Sequence, residues 1–141
     1  MAILWTEDLS VGVKEIDNQH IELFKRVSNL LEACNQGKGK ENVREVIAFL
    51  EKYVISHFGT EERYMKNYQY PDYISHKKQH DVFVNSFADL KNQFEKEGAG
   101  LHIVILTNRL VVDWLTDHIK KVDKLLGAFL KSQKDRKLVQ A

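Results

Sequence analysis

Cysteine occurs once in the 141 residues, proline once and glycine seven times. The lone thiol, Cys34, can close no internal disulfide and build no thiolate cluster, a pattern that suits a reducing cytoplasm. Any metal must therefore be held by histidine and carboxylate. Neither sign of charge is in excess, since 21 Lys and Arg face 20 Asp and Glu, so no field draws the chain to nucleic acid or anionic lipid. Long apolar runs are missing too. No segment approaches ~18 uninterrupted apolar residues, and the opening MAILWTEDLSVG has no basic stretch ahead of an apolar one. A soluble, cytoplasmic protein without membrane insertion is expected. No stretch alternates polar and apolar residues for long enough to read as a strand.

What is present is helical periodicity. A hydrophobic content of 43% is enough for one core, and short polar breaks at 35–42, 67–72 and 97–100 divide the chain into four long segments. The first, 17–36, carries His20, Phe24, Val27, Leu31 and Cys34 on one face, with Asp17 as the expected N-cap. The second, 41–66, carries Val43, Val46, Leu50, Tyr53, His57, Glu61 and Tyr64. The third runs from about Pro71 to Lys96 with Tyr73, His76, His80, Phe83, Phe87, Leu90 and Phe94 on its stripe. The fourth, 101–121, carries Val104, Val111, Leu115 and His118. Short connections make neighbours antiparallel. The class is all-α: an up-down-up-down antiparallel four-helix bundle with an N-terminal arm and a short C-terminal helix. The expected division is an arm at 1–16 that covers an end or seam, a bundle over 17–130 whose last short helix is 122–130, and a loose polar tail at 131–141.

Within that topology the polar residues on the stripes fall at one level. His20 is near the start of its helix, His57 and Glu61 near the end of theirs, His76 and His80 near the start, and His118 near the end, so all six lie at one pole. Burying five imidazoles and a carboxylate unpartnered would cost several kcal/mol for the acid and about 1–3 for each ring, against a total stability of about 5–15. A shared cation removes the conflict, because neutral imidazole offers it a lone pair and the carboxylate compensates its charge. His102 lies ~160° around the helix from His118 and at the other pole, so it receives no metal role. Glu62 points ~100° off the stripe and reads as a solvated charge, and Cys34 reads as a small buried hydrophobe.

Five nitrogens with one or two carboxylates exceed one tetrahedral zinc and exclude an all-oxygen calcium or magnesium cage. Two metals fit better. HExxH is absent, which removes the zinc-protease layout. A nitrogen-rich pair of iron ions leads, with zinc or manganese open on composition alone.

His20 in IDNQH, His57 and Glu61 in HFGTE, His76 and His80 in HKKQH, and His118 and Asp123 in HIKKVD together resemble the ligand set of the hemerythrin family. The likeness runs from Trp5 to about Leu126, and it is nearest to the single-domain bacterial branch. Asp123 enters through this resemblance alone. Five residues past His118 it lies ~140° off that face, so the helix must loosen, bulge or end just after His118. The resemblance implies that His76, His80 and His118 hold one iron, that His20 and His57 hold the other, and that Glu61 and Asp123 bridge them with an oxo or hydroxo group. It implies reversible dioxygen binding between Fe2+ and Fe3+ states, with the oxygen held as hydroperoxide on the iron that keeps an open position. Phe58, Leu115 and Ile119 match positions that line the oxygen pocket, with Trp114 and Phe24 beside them. The implied role is an oxygen carrier, store or delivery protein rather than an enzyme. Its expected partners are dioxygen and a protein recipient, and a monomer is expected. An oxygen-dependent sensor, or a di-iron enzyme handling nitric oxide or peroxide, are the rival readings.

Overall fold

Apolar side chains at steps of three and four coil most of the chain, and the computed structural model describes residues 5–37, 40–98 and 100–140, with side chains as far as Gln133. After a 3-10 turn at Glu7–Leu9 come α1 (Lys14–Asn35), α2 (Lys40–Asn67) and α3 (Tyr73–Glu97). The last quarter is one continuous helical rod: α4 (Leu101–Thr107), α5 (Trp114–His118) and α6 (Lys124–Gln140), joined by π-helical segments at Asn108–Asp113 and Ile119–Asp123. No strand occurs among the described residues, and none of their helices is long and apolar enough to cross a membrane. α1 lies beside α2, α2 beside α3, and the rod beside both α1 and α3, which closes an up-down-up-down bundle.

The wide π turns of the rod have a reason visible in its spacing. Ile103, Thr107, Val111, Leu115 and Ile119 are all buried and recur at steps of four. Each such step overshoots a regular α-helical turn by ~40°. The wider π turns absorb that drift and keep the five residues on one face. Val104, expected on the stripe, flanks it half-buried, and Thr107 satisfies its buried hydroxyl by donating to the Ile103 carbonyl at 2.8 Å. The second π segment is the bulge that Asp123 required. Beyond it α6 is the expected C-terminal helix, beginning at Lys124 instead of 122 and continuing past 130 to Gln140.

α1 begins at Lys14, three residues before the expected 17, with Val13 at the N-cap position. Asp17 is therefore inside the helix, and its carboxylate instead accepts from the Ser10 hydroxyl at 2.6 Å and the Val11 N–H at 2.8 Å, tying the arm down. On α2 the buried stripe is Val43, Ile47, Leu50, Val54, His57, Phe58, Glu61 and Met65, one residue round from the expected Val46, Tyr53 and Tyr64, which are only partly buried. The α3 stripe holds from His76 to Phe94. The core has two parts. The larger runs along the bundle through Leu23, Val27, Leu50, Phe58, Phe83, Leu90, Val111 and Leu115. The smaller joins the arm residues Leu9 and Val11 to Ile16, Phe24, Met65, Tyr70, Ile119 and Leu126.

Candidate metal centre

The steps of four and three that bury each helix also aim its polar members at one place. His20, His57, Glu61, His76, His80, His118 and Asp123 are each no more than 4% exposed. Glu61 is the hub: its Oε2 lies 3.3 Å from His20 Nε2 and 2.9 Å from His57 Nε2, while its Oε1 lies 3.1 Å from the Nε2 atoms of His76 and His80. Asp123 repeats the division, with Oδ2 at 3.1 Å from His20 Nε2, and Oδ1 at 3.0 Å from His76 Nε2 and 3.1 Å from His118 Nε2. Donor atoms thus fall into two sets, Glu61, His76, His80, His118 and Asp123 on one side and His20, His57, Glu61 and Asp123 on the other. Both carboxylates belong to both.

A test of fit comes from the directions of these atoms. Both oxygens of Asp123, and His118 Nε2, are buried without any hydrogen bond despite their 3.1 Å approach. Their lone pairs pass one another instead of sharing a proton, an arrangement that orphans three polar atoms unless something lies between them. Donors at right angles around one transition-metal ion, each ~2.1 Å away, stand ~3.0 Å apart. The spacings around Glu61 and Asp123 match that edge length, so the donor set fits a pair of such ions.

Three of the five outer nitrogens hold their rings in the matching tautomer, while the Nδ1 atoms of His20 and His76 are buried without a hydrogen-bond partner. His57 Nδ1–H donates to Gln19 Oε1 at 2.7 Å, and Gln19 is itself oriented by donating from Nε2 to Thr60 Oγ1 at 3.1 Å. His118 Nδ1–H donates to Gln79 Oε1 at 3.0 Å, and His80 Nδ1–H to Glu62 Oε2 at 3.0 Å. Glu62 is therefore a partner of a buried ring and not the solvated charge its angle suggested. These three acceptors sit on helices adjacent to the rings they hold, which is why stripes read one helix at a time could not find them. The only signal was a polar residue next to each inward histidine or glutamate.

Electrostatics follow from the packing. Burial pushes Glu61 up, but His57, His20 and His76 outweigh it and hold the carboxyl well below its usual range. Asp123 is likewise held low, as His118 and His20 outweigh burial and the charge of Glu61. Burial pulls the imidazoles of His20 and His76 down, yet Asp123 and Glu61 prevail and raise both to about 9.

Aromatic and aliphatic groups enclose the cluster. Phe58 stacks on His80 with centroids 3.9 Å apart and planes 5° from parallel, and Trp114 stacks on His118 at 4.4 Å. Phe58, Leu115 and Ile119 are buried, with Phe24 in the core on the arm's side. Tyr70, which the sequence did not single out, is buried with its ring 6.4 Å from that of His76. His102 is exposed, its Nε2 lies 2.9 Å from Gln93 Oε1, and it belongs to neither donor set.

Comparison with known proteins agrees with this geometry. The family model described as the hemerythrin HHE cation binding domain matches residues 11–130. The bacteriohemerythrin of Methylococcus capsulatus is 36% identical over 132 residues, covering 92% of this chain and 98% of that one. The myohemerythrin of Theromyzon tessulatum is 31% identical, covering 84% and 86%. A wild-type hemerythrin crystal structure superposes with a TM-score of 0.82 at 34% identity, covering 92% of this chain and 98% of that one.

Proposed function

Because the chain belongs to the hemerythrin family, we propose that it binds dioxygen reversibly at two iron ions, as a carrier, store or delivery protein. The observation that carries this is the unequal division of donors: three imidazoles on one side, two on the other, and both carboxylates common to the two sets. His76, His80 and His118 would hold one ion and His20 and His57 the other, with Glu61 and Asp123 available to both. Two iron ions held by such a set would supply the electron pair that reversible binding of dioxygen requires.

The chain's own residues account for the rest. Gln19 and Gln79 keep a proton on the outer nitrogen of His57 and His118, so each Nε2 presents a lone pair inward. Phe58, Leu115 and Ile119, all buried, and Trp114, stacked on His118, set apolar surface against the cluster and exclude water there. Reversibility depends on that dryness, because the apolar wall keeps water and its protons away from the buried donors. Anaerobic reconstitution with ferrous iron tests the proposal. Two irons per chain and a visible spectrum that appears in air and fades under argon are expected. Zinc-only uptake, or repeated turnover of nitric oxide with a reductant, would overturn the carrier reading.

A further inference from the structure

The three outer hydrogen bonds of the cluster are not equal. His57 and His118 donate to neutral amides, whereas His80 donates to a carboxylate, Glu62 Oε2 at 3.0 Å. One turn of α2 therefore presents two carboxylates to the centre, Glu61 to the inner nitrogen of His80 and Glu62 to its outer one. The Glu62 side chain is 21% exposed, and the Phe58 face 3.9 Å from His80 prevents the ring from turning away. Lys77, which pairs with Asp81 at 3.1 Å, also feels the charge of Glu62. An anionic acceptor pulls on the Nδ1 proton and pushes electron density to Nε2, making that ring a stronger donor to a cation than an amide-bonded ring. No comparable anion stands behind His57 or His118 in their hydrogen bonds.

We infer that Glu62 is a positioning residue that acts through His80, locking its Nε2 toward the three-imidazole ion and favouring that ion's ferric state. The inference rests on the di-iron reading above. Glu62→Gln keeps the shape and an acceptor oxygen and removes the charge, while Glu62→Ala removes both. With the full-length protein loaded with iron, Glu62→Gln is expected to fold and to take up the same metal as the parent. At the potential where the parent is half oxidised, its ferric-to-ferrous ratio should fall about tenfold. Gln79→Glu, which places a carboxylate behind His118, should move that ratio the other way. Glu62→Ala should bind Co2+ about 10- to 100-fold more weakly. In zinc-loaded protein the His80 Nδ1–H signal should persist in Glu62→Gln and exchange rapidly in Glu62→Ala. A parent that loads two ions while Glu62→Gln titrates identically to it overturns the role of Glu62 alone. A parent that takes up no metal pair overturns the di-iron reading with it.

Discussion

At the scale of single residues, the cluster is a competition between protons and metal for the same lone pairs. His20 and His76 are raised from 6.5 to about 9 in the metal-free chain. They therefore contribute stability that is full below pH 6.5 and is lost as pH climbs through about 9. Glu61 and Asp123, held low, contribute above the ordinary carboxylate range and fail only in strong acid. Loading an ion must displace those protons. Adding Co2+ to chelator-treated protein at a pH of about 7.5 should release about two protons per chain from these rings, measurable with a pH indicator. Release near zero would show that the rings are already neutral. Leu115, 1% exposed beside Phe58, tests the dry wall. Leu115→Ala should lose about 2–5 kcal/mol of stability and speed autoxidation, followed as decay of the oxygenated spectrum; an unchanged decay removes Leu115 from the gate. Six of the seven inward groups could be read from helical stripes because burial of a charge or imidazole is conspicuous in an apolar pattern. Glu62, Gln19 and Gln79 could not, since their partners lie on neighbouring helices and only packing brings them together.

At the scale of elements, the rod shows what a regular helix cannot do. A strict α-helix would carry Asp123 ~140° away from His118; the π segment Ile119–Asp123 returns it to the cluster. That irregularity was foreseeable once an acid was required there. The earlier segment at Asn108–Asp113 was also written in the chain as a run of four-residue steps, but it competes with the three-and-four reading that placed Val104 on the stripe with Val111, Leu115 and His118. The early start of α1 hid behind Asp17, a good N-cap residue that serves the arm instead. The arm's seat on the rod is close. A Cβ built on Gly127 would stand 1.9 Å from the Val11 carbonyl oxygen. Gly127→Ala should thus lift the arm, lower stability by about 1–3 kcal/mol and expose residues near Val11 to protease. A variant with the parent's melting temperature and digestion pattern would show that the contact is not kept in solution.

At the scale of the whole molecule, the polar cluster lies between two apolar masses, the long core on one side and the arm, Tyr70 and Leu126 on the other. Neither mass includes a member of the donor sets, which is why hydrophobic pattern alone could place the bundle. With every donor atom sealed between them, an ion has no standing doorway. Departure must wait for the pole to come apart, so the residence time of iron becomes a property of folding dynamics. Extraction by a strong chelator should then proceed at a rate independent of chelator concentration, rise with mild urea, and rise again in Gly127→Ala. A rate proportional to chelator would mean that the reagent reaches the ions directly. Iron held in this way is in custody: it leaves on the schedule of the fold, whatever waits outside to receive it.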